Sequence, residues 1–138
     1  MRGILYSLIG LILLLSNIFI IGCASSLQFD GVYQSEKEGD YWHYARFYKD
    51  HTVITVSSTG KPKEIFHWFK KENIINKNLS NGLYSINNSR LVFSSTDTYG
   101  TVDYEGMIQE DTLILNWYSH INFHRGNGKY NFIKLFEN

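Results

Sequence analysis

The chain has one cysteine, one proline and no excess of either charge. Its 138 residues include 13 Lys and Arg against 13 Asp and Glu. A nucleic-acid-binding protein needs a basic surface to neutralise phosphates, so the zero net charge argues against that class and we expect no nucleic-acid partner. A single cysteine cannot form an intramolecular disulfide or a zinc site built from several cysteines. The length is that of one domain.

What the chain does contain is apolar and aromatic. Apolar residues make up 43% of the sequence, aromatic residues 16% and charged residues 19%, so global disorder is not expected. Ten of the aromatic residues are Tyr. Aromatic side chains are enriched in strands, and this composition therefore favours β-structure over helices.

The first 22 residues have the pattern of an export signal. Arg2 supplies a positive start, and residues 3–22 are almost wholly apolar. The run ends in Ile20-Ile21-Gly22-Cys23. This tetrapeptide resembles the lipobox of bacterial lipoproteins, in which an aliphatic residue, a small or aliphatic residue and Gly or Ala precede the cysteine.

The resemblance implies lipidation of the Cys23 thiol, cleavage before Cys23 and acylation of the new amino terminus. Several acyl chains anchor a protein stably, whereas one does so only marginally. We therefore expect an exported protein that is held on a membrane by lipid at Cys23. Ala24 rather than Asp after the cysteine implies the outer membrane if the source is a diderm bacterium. An uncleaved membrane anchor remains the alternative, because about 20 apolar residues can span a bilayer.

Behind the signal peptide at 1–22, we expect a lipidated linker at 23–27 and a single domain at 28–138. Short strands are predicted at 27–35, 41–49, 52–58, 82–86, 90–95, 101–108, 112–119 and 129–136 from their alternation and the turns between them. Asp50-His51 is predicted as a hairpin turn in which His51 takes the place of the usual glycine. Gly126-Asn127-Gly128 is predicted to interrupt the chain before the last strand.

One helix is predicted after the third strand. Pro62 suits the first helical position, since its missing N–H costs nothing there. An apolar stripe follows at Ile65, Phe66, Trp68 and Phe69. We expect this stripe to pack either across one end of the barrel or against the strand face that contains Trp42 and Tyr44.

About eight short strands with short turns suggest an antiparallel meander, as an up-and-down barrel or a two-sheet sandwich. Gly31-Val32-Tyr33, and Gly82-Leu83-Tyr84 followed by Asn88, Leu91 and Phe93, resemble hairpins of small bacterial lipocalin-like domains. That resemblance implies a meandering barrel, often without a known activity.

The most informative side chains for function are aromatic. We predict that a ligand site, if present, uses Trp42, Tyr44, Trp68, Trp117 and Tyr118. The favoured hypothesis is a non-catalytic, lipid-anchored binding module for a small apolar ligand or an envelope partner. The alternatives are a structural or protein-interaction lipoprotein with a filled barrel and, least favoured, an envelope hydrolase. An internal cavity would distinguish the first hypothesis from the second.

Candidate catalytic and metal-binding groups are few. No nucleophile motif, phosphate-binding glycine loop or HExxH motif occurs, and we expect no enzyme activity, no cofactor and no metal. His120 and His124, with Asp103 or Glu105, are the one combination that suggests a metal site. Hydrogen bonding or solvation is the favoured interpretation of both histidines, and a solvent-facing role that of both carboxylates.

Lipidation at Cys23 is directly testable. In a bacterial host, the full chain should incorporate labelled fatty acid and partition into detergent, whereas Cys23→Ala should do neither. A variant that keeps both the label and the cleavage would show that the assignment is wrong.

Overall fold

Eight antiparallel strands follow one another along the chain, and the last strand pairs with the first to close a barrel. The computed structural model describes residues 25–136. The strands are β1 (Gly31–Ser35), β2 (Trp42–Phe47), β3 (Thr52–Ser58), β4 (Ser80–Asn87), β5 (Arg90–Asp97), β6 (Gly100–Gln109), β7 (Thr112–Ser119) and β8 (Arg125–Lys134). The prediction of a mainly β meander is confirmed, and of its two forms the chain adopts the barrel.

The hairpin between β2 and β3 shows why a histidine can replace glycine. His51 has a φ of 70°, in the left-handed region that glycine usually occupies. Its backbone N–H donates to the Tyr48 carbonyl over 3.1 Å, and its ring stacks on Tyr84 with the centroids 5.1 Å apart. The stacking offsets part of the backbone strain, and the predicted turn at Asp50-His51 is confirmed.

Closure requires strands that bend sharply. At Gly82 in β4 and Gly106 in β6, an added Cβ would lie 1.8 Å from the carbonyl oxygens of Ser94 and Ile114 on the neighbouring strands. No other residue permits so close an approach of two backbones, and glycine within a strand typically marks such a bend.

The first and last strands differ from their predicted bounds. β1 begins at Gly31 rather than residue 27, although Leu27 is buried inside the barrel. Gly126-Asn127-Gly128 lies within β8, so the predicted interruption there is wrong. The chain instead turns at residues 120–124, where Phe123 has a φ of 61°. Gly126 leaves room for the Trp117 side chain of the paired strand β7, and the sequence pattern alone does not distinguish this use of glycine from a turn.

The barrel interior is filled at one end, called here the closed end. Phe47 lies at its centre and makes edge contacts with Tyr33, Tyr84 and Phe93, with ring centroids 5.2–5.6 Å apart. The other buried members of this inner cluster include Leu27, Val53, Leu91, Ile108 and Leu113. The N-terminal segment covers the closed end, where Ser25 Oγ accepts a hydrogen bond of 3.2 Å from the N–H of Glu110 in the β6–β7 turn.

A second apolar cluster lies outside the barrel wall. The helix α1 (Pro62–Phe66) and the 3-10 turn Lys71–Asn73 cover the outer face of β1, β2 and β3. This outer cluster contains Val32, Tyr44, Ile54, Ile65, Phe66, Phe69, Leu79 and Leu135, with Trp42 and Trp68 partly buried against it. Of the two predicted positions for the stripe, the face with Trp42 and Tyr44 is confirmed. The helix is shorter than the stripe, because Trp68 and Phe69 follow it in an irregular segment.

A buried arginine joins this segment to the barrel. Arg46 on β2 donates from Nη1 to the Phe69 carbonyl over 2.9 Å, and its guanidinium lies 4.3 Å from the centre of the Phe66 ring. Lys71 and Asp50 form an ion pair of 2.5 Å nearby, and hydrogen bonding to Lys71 lowers the pKa of Asp50 to about 2.

No helix within residues 25–136 is long and apolar enough to cross a membrane.

We predict that Phe69→Ala destabilises the domain by roughly 3–5 kcal/mol, because truncating a fully buried aromatic leaves a cavity in the outer cluster. Ile75→Ala is the matched control, since Ile75 belongs to the same connection and is 91% exposed. Urea unfolding followed by tryptophan fluorescence measures both. Equal stability of the two variants would contradict the docking of this segment.

Candidate ligand cavity

The barrel is open at the end opposite Ser25, and a cavity of about 470 Å³ extends from this mouth into its interior. Ligand sites for small molecules commonly measure about 300–1,000 Å³. The lining residues come from every strand from β2 to β8 and from the loops at the mouth. The volume is therefore sufficient for one small molecule.

The cavity exists because inward-facing residues are small near the mouth. Ala45, Thr55, Ser95 and Ser119 occupy inward positions there, whereas the closed end has Phe, Leu, Ile and Tyr at equivalent positions. On β8, Gly126 faces Trp117, and an added Cβ would lie 2.2 Å from the indole ring. The glycine thus makes room for the one tryptophan that lies inside the barrel.

Hydroxyl groups occupy the middle of the cavity. Thr55 Oγ1 and Ser95 Oγ form a buried hydrogen bond of 2.7 Å. Tyr130 is 4% exposed and lines the cavity, and within residues 25–136 no group hydrogen-bonds its hydroxyl. A ligand or water in the cavity can satisfy this hydroxyl, because it lies on the cavity surface.

Burial also determines how the tyrosines ionise. Desolvation raises the pKa of Tyr104 to about 12, with a smaller opposing effect from hydrogen bonding with Thr55. It raises the pKa of Tyr130 as well, and the charge of Glu38 at the mouth adds to that increase. Both side chains are therefore neutral hydroxyls near neutral pH. They can donate or accept hydrogen bonds in the cavity.

A chain of three polar side chains lies at the mouth. His43 Nε2 is 2.9 Å from Glu38 Oε2, and His43 Nδ1 is 2.7 Å from Ser57 Oγ. Since the carboxylate accepts, Nε2 carries the proton in the neutral ring and Nδ1 accepts from Ser57. Serine hydrolases use the same three residue types, together with hydrogen-bond donors grouped around the oxyanion that develops in the reaction. Ser57, by contrast, lies within a regular strand that pairs with β2. We therefore interpret the three side chains as a hydrogen-bonded group that orients the polar side chains of the mouth.

A second carboxylate lines the mouth across the barrel from Glu38. Asp97, at the end of β5, accepts hydrogen bonds from Ser80 Oγ over 2.6 Å and from the N–H of Tyr99 over 2.7 Å. These donors are neutral, and no described residue forms an ion pair with Asp97. Its charge is therefore held in place but not neutralised.

Apolar side chains surround the entrance. Tyr41, Tyr99, Ile121 and Phe123 are all exposed on the loops of the mouth. Ile121 also contacts Gly100 at the start of β6, where an added Cβ would lie 2.8 Å from it. The entrance therefore combines apolar side chains with the two carboxylates.

The structure divides the five aromatic residues predicted as a ligand site. Trp117 lies inside the barrel and lines the cavity. Trp42, Tyr44 and Trp68 belong to the outer cluster, although Tyr44 also borders the cavity from its position on β2 between His43 and Ala45. Tyr118 lies on the outer wall, where the Arg125 guanidinium is 4.8 Å from its ring centre. Alternation correctly separates Trp117 from Tyr118, but a linear sequence does not indicate which face closes inward.

The histidines and carboxylates considered for metal binding are also separated. His120 Nε2 is 2.6 Å from Asp103 on the outer wall, Glu105 pairs with Arg90 over 2.6 Å, and His124 lines the cavity. Hydrogen bonding from Ser94, and then from His120, lowers the pKa of Asp103. Both carboxylates lie on the face of β6 opposite Tyr104. Within residues 25–136, no three potential ligands are grouped for a metal ion.

Sequence reasoning missed most of the cavity lining. Ser95, Asp97 and Ser119 are unremarkable polar residues at strand ends, and nothing in the sequence distinguishes Tyr130 from the other tyrosines of the predicted strands. The available signal was the change from large to small inward residues along each strand, which identifies an unfilled end of a barrel.

No protein-family model matches the chain, and comparisons with curated proteins and with solved structures find no match.

The buried tyrosines predict a fall in stability at alkaline pH. Burial raises the pKa of Tyr33 and of Tyr104 to about 12, whereas an unfolded tyrosine ionises near 10. Between about pH 10 and 12, the unfolded chain therefore binds fewer protons than the folded one, and the free energy of unfolding falls as the pH rises.

Urea unfolding at about pH 9 and about pH 11 measures this change. Tyr104→Phe should reduce the fall, whereas Tyr99→Phe, at a position that is 78% exposed, should not. The same fall in both variants would show that Tyr104 is not shielded from water.

Proposed function

We propose that this protein is a lipid-anchored, non-catalytic module of the cell envelope that binds one small molecule in the open end of its barrel. The observation that carries the proposal is the cavity of about 470 Å³, closed at one end and open at the other. A barrel with a purely structural role gains nothing from leaving its interior unfilled, since buried cavities reduce stability. The cavity therefore favours ligand binding over the alternative of a filled barrel.

The lining defines the general character of the ligand. Phe93, Leu115 and Trp117 provide apolar contacts, while Tyr104, Tyr130 and Ser119 provide hydroxyls. A purely apolar ligand would leave the Tyr130 hydroxyl, which has no partner within residues 25–136, desolvated and unpaired. We therefore refine the expected small apolar ligand to an amphipathic one that has hydrogen-bonding groups.

The position of the N-terminal segment is compatible with anchoring. Cys23 lies outside the described residues, but Ser25 contacts the β6–β7 turn at the closed end. Two residues span at most about 7 Å. Lipid at Cys23 would therefore place the membrane beside the closed end, with the mouth directed away from it and accessible to ligands. The assignment to a membrane depends on the leader sequence.

A variant that fills the cavity tests ligand binding. Gly128 on β8 is paired with the inward-facing Leu115, and an added Cβ would meet only the Tyr130 ring, at an ordinary 3.5 Å. We predict that Gly128→Leu folds normally and weakens binding of the neutral fluorescent probe N-phenylnaphthylamine by at least about tenfold. Asn127→Leu adds the same side chain on the exposed outer face of the same strand and should bind the probe as the wild type does.

Fluorescence titration gives the affinities, and thermal unfolding verifies that both variants fold. Unchanged probe binding in Gly128→Leu, or no binding by the wild type, would contradict the proposal.

A further inference from the structure

The permanently charged side chains in the cavity lining are acidic. Two carboxylates, Glu38 and Asp97, line it, together with His43 and His124. Among the described residues, no Lys or Arg belongs to its lining. Lys37, although it lies in the β1–β2 loop, extends over the outer face of Trp42, 5.2 Å from the ring centre. An anionic ligand would therefore enter a site without a fixed positive charge to pair with it.

Neither carboxylate is neutralised by a permanent cation. Asp97 is held by neutral donors, Ser80 and the N–H of Tyr99. Glu38 contacts His43, which is charged only when protonated. Both carboxylates line the same cavity as Tyr130, so their negative charge acts on a ligand that is held there.

The neutral part of the lining suits a cation as well. Tyr104, Trp117 and Phe93 present aromatic rings, and Phe93 and Tyr104 are stacked with their centroids 4.5 Å apart. Aromatic faces attract ammonium groups, most strongly where water is excluded. Tyr130 is 4% exposed and lines the cavity, and its hydroxyl has no partner within residues 25–136, so its oxygen is available to accept from an N–H donor.

We infer that the cavity binds a compact organic amine in its ammonium form, with an aromatic or apolar body against the inner rings. This inference rests on the proposed function, because it specifies the ligand class of the same cavity. The ammonium group is attracted by Glu38 and Asp97 and donates hydrogen bonds to hydroxyl oxygens of the lining. A carboxylate of the same shape is repelled by the same two residues.

Three probes with one skeleton and different charges test the ligand class. Phenylpropylamine, phenylpropanol and phenylpropanoate are cationic, neutral and anionic near neutral pH. Isothermal titration calorimetry with the folded domain at low salt measures their dissociation constants. We expect the amine to bind at least about tenfold more tightly than the carboxylate, and more tightly than the alcohol. The preference should decrease as the salt concentration rises.

Substitution of the carboxylates identifies the origin of the preference. Asp97→Asn and Glu38→Gln should each reduce the ratio of amine to alcohol affinity several-fold. Asp103→Asn is the matched control, since Asp103 is a carboxylate of the outer wall that binds Ser94 and His120. It should leave all three affinities unchanged.

The outcomes separate this inference from the proposed function. If the alcohol binds as tightly as the amine, or the carboxylate binds more tightly than either, the inference is wrong while the binding function stands. If neither the three probes nor N-phenylnaphthylamine bind, the proposed function itself is wrong. An equal loss of amine preference in Asp103→Asn would also overturn the assignment to Glu38 and Asp97.

Discussion

Pairing of β1 with β8 is the constraint on which the rest of this structure depends. The register runs from Gly31 opposite Lys134 to Ser35 opposite Tyr130, and it joins two strands about a hundred residues apart. Closure satisfies the hydrogen-bonding groups that an open sheet would leave at its edges. It also gives each strand an inside and an outside, so that the alternation along β1 sends Tyr33 inward and Val32 outward.

The apolar side chains on the inner and outer faces of the barrel wall are buried in different ways. Inside, rings from several strands pack around Phe47 and fill the closed end. Outside, the apolar face of β1, β2 and β3 is too large to leave in water, and the segment with Ile65, Phe66 and Phe69 covers it. Arg46 is buried between the barrel wall and this segment, and its hydrogen bond to the Phe69 carbonyl holds the segment against the wall. The aromatic content of β2 therefore serves two cores.

The cavity follows from an uneven use of side-chain volume along the barrel. Large residues occupy inward positions at the closed end, and Ala45, Ser95, Ser119, Gly126 and Gly128 occupy them near the mouth. A wide barrel interior that is not filled by side chains is a space for a ligand. The polar side chains of the mouth are held by neighbours, Glu38 by His43 and Asp97 by Ser80, so they are positioned before a ligand arrives. Such preorganisation reduces the cost of binding.

The sequence by itself determined the features that depend on neighbouring residues: the alternation of β6 and β7, the hairpin with His51 at positive φ, and the helix that begins at Pro62. It also predicted that the stripe needs a partner, and it named the Trp42 face among two possibilities. Only the tertiary structure decided which face became the interior, because both faces of β2 are aromatic and alternation is symmetrical between them. For the same reason, only the tertiary structure placed Trp117 inside the barrel and Trp42 outside it. It also showed that Gly126-Asn127-Gly128 belongs to β8, because the residue that Gly126 accommodates, Trp117, lies on the partner strand β7. A cavity is a property of side chains from many strands together, and no local pattern along the chain contains it.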